Sequence, residues 1–492
     1  MKLRATGSLA VFVGLALVAV SGPRWSPTRA SQQTSIDLRD EYDVKIVGAG
    51  RVAAAGDVNG DAVPDVLVSV GGMAQEPTRG RSWVVFGRTE PGVIHLDDVS
   101  RGDGGFVIEG DAERDYAAQI AGVGDVSGDG LDDIVVGAPG ADNNGRESSG
   151  SAYVVFGKTS TEPVRLQLFN LGLQVDEGYR IDGPHVRSIA GRDIAGAGDI
   201  IGDGLDDVLV GAPFAGATYV VFGKDDPSPV DLRTFDDGTQ ANTGYRVDTP
   251  APSFDTNYSV GNADDVNGDG IPDALIGVMR EDGSRGVVYV VFGKRDLDPV
   301  EVTDLGSGGF RIKGTYSGSQ TGYEVDGAGD VNGDEFADVV VGAPGGLLDA
   351  PGDAYVVFGK KGMRSIRLNH LGTDGFRIKG RQESPGELLG RSVAGIGDIN
   401  GDGLDDVVVG SVQADFFDLR DTGAAYVVYG KPTRGTVYAQ NLGDKGYTIK
   451  GHRRRGYAGN TVAGPGDING DGKPDVLVAA WPWASFVVWR RP

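Results

Sequence analysis

Seven short acidic segments of one design stand out in the sequence. The sixth runs Asp398-Ile-Asn-Gly-Asp-Gly-Leu-Asp-Asp406, with oxygen-bearing side chains at its positions 1, 3, 5 and 9. Calcium takes six to eight oxygen ligands in flexible geometry, and alternate residues of a tight loop supply them. Glycine at position 6 permits the sharp turn. The segment therefore predicts a calcium site, with the carbonyl of position 7 as a further ligand.

The segment occurs seven times, and successive copies begin 65 to 74 residues apart. We predict up to seven calcium ions. Each copy offers three ligand carboxylates, at positions 1, 5 and 9, which repel one another unless a cation lies between them. The predicted ligands are Asp57, Asn59, Asp61, Val63 and Asp65; Asp125, Ser127, Asp129, Leu131 and Asp133; Asp199, Asp203, Leu205 and Asp207; Asp265, Asn267, Asp269, Ile271 and Asp273; Asp330, Asn332, Asp334, Phe336 and Asp338; Asp398, Asn400, Asp402, Leu404 and Asp406; Asp467, Asn469, Asp471, Lys473 and Asp475.

The copies are not equal as calcium ligands. All preferred residue types are present in the loops that begin at Asp265, Asp398 and Asp467. Ser127 is a weaker ligand at position 3, whereas Ala62 and Glu335 replace the glycine of position 6. Ile201 removes an oxygen from the third loop, so we expect the weakest site at Asp199.

An EF-hand loop begins in the same way but is excluded. It needs a bidentate glutamate at position 12 and a helix on each side. Position 12 is aliphatic in all seven copies, at Val68, Val136, Val210, Ile276, Val341, Val409 and Val478.

Runs of β-branched and aromatic residues around each loop predict β-strands. One strand precedes the loop, a second follows it, and a third has the form Tyr-Val-Val-Phe-Gly. A fourth is predicted at Val93-Ile-His-Leu and Ile366-Arg-Leu, with Gly309-Phe-Arg-Ile-Lys-Gly as a connector to the next unit. Four-stranded units repeated radially make a propeller. The last unit stops after its third strand, so we expect Ile36-Asp-Leu to fill its edge and close the ring. The predicted fold is an all-β, seven-bladed propeller of four-stranded blades over residues 31–492.

The repeats resemble the FG-GAP repeat of the N-terminal propeller of integrin α chains. The resemblance rests on the acidic loop, the Phe-Gly strand and a Gly-Ala-Pro ending that starts at Gly137, Gly211 and Gly342. The chain is also similar to bacterial secreted FG-GAP proteins. This resemblance implies an adhesion-type binding module for an extracellular protein or glycan.

Residues 1–30 are predicted to be a secretory signal and short leader. Lys2 and Arg4 precede an apolar run from Leu9 to Val20, with cleavage after Ser21 or Ala30. We therefore expect a secreted or cell-surface protein whose mature chain has no membrane span. The chain has no cysteine, which excludes disulfides and thiolate chemistry. Its net charge of −24 argues against nucleic acid or an anionic membrane as partner.

We find no catalytic motif in the sequence, and its four histidines fall in different units. The expected function is therefore binding rather than catalysis. The alternative is an extracellular hydrolase or lyase acting on polysaccharide at the mouth of the ring, which would need acidic, histidine or tyrosine side chains converging there. Two aromatic pairs, Phe416-Phe417 and Trp481-Pro-Trp483, either anchor a partner or fold back onto the propeller.

Overall fold

The computed structural model describes residues 35–70, 79–172, 177–239, 242–250, 258–345, 350–381, 386–480 and 484–489. These residues form seven β-sheets of five strands each, and their helices are single short turns. The predicted all-β, seven-bladed propeller is confirmed. The predicted signal segment and the aromatic segment 481–483 lie outside the described residues.

Each blade is one sheet, whose strands follow one another from the innermost to the outermost. Blade 1 contains Arg51–Gly56, Asp65–Val70, Arg81–Val85, Gly105–Glu109 and Val164–Arg165. Blade 2 contains Gln119–Gly124, Asp133–Ala138, Ser151–Val155, Gly178–Asp182 and Val230–Asp231. Blade 3 contains Asp193–Gly198, Asp207–Ala212, Ala217–Val221, Gly244–Asp248 and Val300–Glu301. Blade 4 contains Tyr258–Asp264, Asp273–Val278, Val287–Val291, Gly309–Lys313 and Ile366–Arg367.

The remaining three blades follow the same order. Blade 5 contains Val325–Gly329, Asp338–Ala343, Asp353–Val357, Gly375–Lys379 and Val437–Tyr438. Blade 6 contains Leu389–Gly397, Asp406–Ser411, Ala424–Val428, Gly446–Lys450 and Ser35–Asp37. Blade 7 contains Ala458–Ala463, Val476–Ala480, Ala484–Val488, Val44–Val47 and Gly92–His95. The helical turns are Leu96–Val99, Asn143–Gly145, Leu166–Asn170, Pro213–Ala215, Arg233–Asp236, Glu281–Ser284, Val302–Asp304, Leu368–His370 and Gly443–Lys445.

The prediction of the fourth strand was wrong in its position. The supposed connector Gly309–Lys313 is the fourth strand of blade 4 and pairs antiparallel with the third. Ile366–Arg367, predicted to be a fourth strand, instead adds a short fifth strand that runs parallel to Gly309–Lys313. A two-residue strand at the outer edge carries little hydrophobic signal of its own, because only Ile366 of the pair is buried.

The N-terminal segment closes the ring with two strands. Val44–Val47 pairs antiparallel with Ala484–Val488 and is the fourth strand of blade 7. Ser35–Asp37, which overlaps the predicted closing strand Ile36-Asp-Leu, instead lies parallel to Gly446–Lys450 on the outside of blade 6. Closure by the N-terminal segment is therefore confirmed, but the assignment of Ile36 to blade 7 is wrong. The innermost strands of blades 7 and 1 pack against each other, which completes the ring.

The hydrophobic core consists of seven clusters, one between each pair of neighbouring blades. Polar contacts reinforce the same interfaces. The lysine that follows Phe-Gly places its Nζ atom over the fourth-strand aromatic ring of the preceding blade, as Lys158 does over Phe106 at 4.6 Å. Lys431 repeats this contact over Phe376 at 4.1 Å. Such cation–π contacts fix blades 2 to 6 against the preceding blade.

The acidic loops and the channel mouth

Each acidic loop joins the innermost strand of a blade to the second strand, and the second strand begins at or next to position 9. Position 2 is a valine or isoleucine that is buried in all seven loops. The aspartate of position 9 is fully buried, with 0% exposure, at Asp65, Asp133, Asp207, Asp273, Asp338, Asp406 and Asp475. The side chain of position 5 stays at the exposed tip of the loop.

Backbone N–H groups hold the loop around its aspartates. In the sixth loop, Asp398 Oδ1 accepts hydrogen bonds from the N–H groups of Gly401 at 2.6 Å and Asp402 at 3.1 Å. Asp398 Oδ2 accepts from Gly403 at 2.7 Å, and Asp402 Oδ1 accepts from Leu404 at 3.0 Å. The first five loops repeat all four contacts, and the seventh repeats two of them, from Asp471 and Gly472 to Asp467. The chain is thus folded into a tight turn with its carboxylates preorganised.

The buried aspartate of position 9 receives two further donors. Asp406 Oδ2 accepts from the N–H of Ile399 at 3.0 Å, and Oδ1 accepts from the N–H of Gly430 at 2.7 Å. Burial, together with the negative charges of Asp402 and Asp398, raises the pKa of Asp406 to about 7 against the lowering effect of these hydrogen bonds. Across the described residues, none of the seven buried aspartates forms an ion pair with a lysine or arginine.

The glycine of the Phe-Gly strand is required by this packing. In blade 6, where tyrosine replaces the phenylalanine, a Cβ atom on Gly430 would lie 2.5 Å from the carbonyl oxygen of Asp405. The equivalent atom on Gly293 would lie 2.2 Å from the carbonyl oxygen of Pro272. Glycine therefore brings its N–H close enough to donate to the buried carboxylate, which explains why the loop and the Phe-Gly strand occur together.

Neighbouring acidic loops are connected through position 8, which sequence analysis did not select. Asp132 Oδ2 accepts from the N–H of Asp57 in the preceding loop at 2.7 Å. Asp206 and Asp405 make the same contact to Asp125 and Asp330, at 3.0 and 2.8 Å. The other position-8 residues are Pro64, Pro272, Ala337 and Pro474, none of which has an accepting side chain. The sequence feature that could have identified this contact is the Asp-Asp pair at positions 8 and 9, which occurs in only three of the loops.

The irregular loops show how the substitutions are accommodated. Ala62 and Glu335 adopt the left-handed backbone expected from glycine, with φ of 68° and 71°. Ile201 packs against the core between blades 3 and 4. The guanidinium of Arg295 lies beside Gly202 of the same loop, 3.2 Å from where a Cβ would be. The third loop thus has one oxygen fewer and a nearby positive charge.

Within the described parts of the chain, no three histidine, aspartate or glutamate side chains form a group that could hold a metal by themselves. The predicted ligand set also uses amide and backbone carbonyl oxygens. In five loops the position-3 asparagine turns its amide nitrogen towards the buried aspartate, as in Asn267 Nδ2 to Asp273 Oδ1 at 3.2 Å. The ligand assignment therefore stays a prediction.

Charged side chains also converge on the central channel, at the end away from the acidic loops. A cavity of about 550 Å³ is lined by Arg51 of blade 1, Asp193 of blade 3 and Glu324 of blade 5. Asp193 Oδ2 accepts from the N–H of Val260 at 2.7 Å, and Arg51 donates to Gln119 at 2.9 Å. Burial raises the pKa of both carboxyls, and the charge of Asp193 raises that of Glu324 further. Sequence analysis missed these residues. The feature they share in the sequence is that each lies six residues before the first aspartate of an acidic loop.

The two aromatic residues Phe416 and Phe417 of blade 6 differ in whether they fold back onto the propeller or lie at its surface. Phe416 packs against the core between blades 5 and 6, under the guanidinium of Arg381 at 4.4 Å. Phe417 is 42% exposed, and Arg39 covers its ring at 4.3 Å. Phe416 therefore folds back onto the propeller, whereas Phe417 lies at the surface.

Comparison with known proteins identifies the repeat. The FG-GAP repeat model matches residues 117–155, 256–291 and 389–428, which lie in blades 2, 4 and 6. The chain is 30% identical over 223 residues to integrin alpha pat-2 of Caenorhabditis elegans, covering 44% of this chain and 17% of the relative. It is 27% identical over 235 residues to human phosphatidylinositol-glycan-specific phospholipase D, covering 45% of this chain and 25% of the relative. It is 26% identical over 245 residues to chicken integrin alpha-V, covering 48% and 21%.

The matched region is thus a quarter or less of each of these relatives. None of the described helices has the length and apolar character needed to cross a membrane. The repeat model, the relatives and the seven-sheet architecture agree with one another. The chain is a seven-bladed β-propeller whose blades 2, 4 and 6 match the FG-GAP repeat, and part of its length is similar to integrin alpha chains.

Proposed function

We propose that the protein is a calcium-stabilised binding module that acts outside the cell on a protein or glycan. The observation that carries the proposal is the set of seven buried position-9 aspartates. Backbone N–H groups bind each of these carboxylates, but a buried negative charge without a cationic partner is still unfavourable. Two further carboxylates accompany each one, and the described residues place no basic side chain in an ion pair with it.

The residues fit calcium in number and kind. Each complete loop offers three carboxylates, one amide oxygen and one backbone carbonyl, and water would complete six to eight ligands. Calcium would neutralise the buried charge and join the innermost strand of each blade to its second strand. Rotation of the position-3 amide, as at Asn267, would present its oxygen in place of the nitrogen.

Calcium titration by calorimetry tests the metal assignment. We expect several sites and a melting temperature that rises with calcium. Ligand at ten times its dissociation constant stabilises the fold by about 1.4 kcal/mol for each site. An unchanged melting temperature after chelation would refute the assignment. Glycan-array and pull-down experiments with and without calcium then test the binding role.

A hydrolase or lyase acting on polysaccharide at the channel mouth is a second candidate. It is favoured by Asp193 and Glu324, because carboxyls with separated pKa values serve as a general base and a general acid. Glu324 would be the proton donor and Asp193 the base, with Arg51 close to both. Activity on polysaccharides that disappears in both Glu324→Gln and Asp193→Asn would support this candidate. Activity that both variants retain would exclude it.

A further inference from the structure

A second, smaller cavity lies where the N-terminal segment joins blades 6 and 7. This seam pocket has a volume of about 180 Å³ and is lined by Leu38, Lys45, Thr422, His452, Arg453 and Phe486, among others. Leu38 and Lys45 come from the closing segment, and Phe486 from the third strand of blade 7. The pocket therefore exists only when the ring is closed.

One wall of the seam pocket is apolar. Leu38 and Phe486 are 0% and 1% exposed as whole residues, so they back the pocket as part of the packed core. Val47 and Ala480, which also line the pocket, are partly exposed and supply its accessible apolar surface. The ring of Tyr42 lies 5.3 Å from that of Phe486, and the His452 ring stands edge-on to Phe486 at 6.1 Å. A cavity of about 150 Å³ with apolar walls accommodates one benzene ring. The seam pocket has room for a body of that size.

Two basic side chains also line the seam pocket. The Nζ atom of Lys45 lies 5.7 Å from the centre of the Phe486 ring, and Arg453 lines the same cavity. Among the residues described, neither cation forms an ion pair or a side-chain hydrogen bond. Asp37, a nearby carboxylate, is bound by Arg39 through its Nε atom at 2.7 Å. The protein as a whole has a net charge of −24. Two cations without an ion-pair partner at one small cavity therefore make the electrostatic potential there locally positive.

We propose that the seam pocket binds a small organic carboxylate, with the anion held by Lys45 and Arg453 and a ring-sized apolar body against Val47 and Ala480. The planar guanidinium of Arg453 matches a carboxylate in two parallel hydrogen bonds. A phosphate ion alone would leave the apolar wall unused. The site is separate from the acidic loops, so it does not depend on the proposed metal binding.

The test is a titration of the full-length protein, with calcium present, followed by saturation-transfer NMR and calorimetry. Phenylacetate is the probe, and 2-phenylethanol is its neutral counterpart. We expect phenylacetate to bind at least about tenfold more tightly than 2-phenylethanol, since a charge-assisted pair contributes about 1.5–3 kcal/mol. Absence of phenylacetate binding at millimolar concentration, or equal binding of the alcohol, would overturn the proposal without any variant.

Two variants locate the site. Lys45→Gln and Arg453→Gln should each weaken phenylacetate binding about tenfold while leaving the melting temperature of the free protein nearly unchanged. Arg454→Gln is the matched control, because Arg454 is exposed, adjacent in sequence and not part of the cavity wall. An equal loss in the control would show a diffuse basic surface instead of a pocket. Tight binding of a sulfated glycan that depends on Arg454 would overturn the proposal in the same way.

Discussion

The buried aspartates make the effect of calcium depend on pH in a defined direction. Burial raises the pKa of Asp406 from 3.8 to about 7. The folded, metal-free protein thus holds a proton more tightly than the unfolded chain does. Its stability should therefore fall as pH rises from about 4 to 7 and level off above that range. Calcium competes with the proton for the same oxygens, so it should abolish much of this fall.

The magnitude follows from the shift. About three pKa units correspond to about 4 kcal/mol for one fully buried carboxyl. Burial raises the pKa of the other six position-9 aspartates to about 7 or 8. The free-energy costs of ionising all seven buried carboxyls together exceed the 5–15 kcal/mol by which a folded domain is usually stable. We therefore expect metal-free protein near neutral pH to lose the order of several loops.

The assay is thermal unfolding by circular dichroism near pH 5 and pH 8, in metal-depleted buffer and in excess calcium. The calcium-induced rise in melting temperature should be much larger at the higher pH. Without metal at the higher pH, Asp406→Asn should melt at a higher temperature than wild type. The lost hydrogen bond reduces the gain in unfolding free energy by about 1 kcal/mol. Calcium should raise the melting temperature of this variant less than that of wild type. Asp418→Asn, at an exposed loop residue, is the control. A calcium effect that is the same at both pH values would refute the reasoning.

Three further predictions concern separate features. Ile201→Asn should raise calcium affinity at the Asp199 loop, measured by site-resolved titration, and an unchanged affinity would contradict the ranking of sites. Deletion of residues 31–47 should lower the melting temperature and promote aggregation, because it exposes the edge of blade 7. Deletion of residues 31–38 should lower the melting temperature less. If both truncated forms melt like the intact chain, closure of the ring by this segment is refuted. Burial raises the pKa of Glu324 above 4.5, so stability should fall as pH rises through the raised value. Glu324→Gln should reduce that fall in a melting series over pH, and a steeper fall would contradict the argument.

The sequence was sufficient for the architecture because the signal was repeated seven times. Each acidic loop and each Tyr-Val-Val-Phe-Gly strand is a local pattern, and near-constant spacing turns seven weak signals into one strong one. The same copies predicted which loops differ, and the left-handed backbone at Glu335 confirms one such expectation. The need for closure by the N-terminal segment also followed from the sequence, since the seventh unit lacked a strand.

Only the tertiary structure decided which segments pair across blades. The two-residue outer strands belong to the preceding blade, and Ile36 belongs to blade 6, because a parallel edge strand is specified by its neighbour rather than by its own residues. The convergence of Arg51, Asp193 and Glu324 also required the fold, since they lie more than a hundred residues apart in sequence. Contacts between residues distant in sequence leave no periodic pattern in the sequence. They could therefore be identified only from the arrangement of the blades in the closed ring.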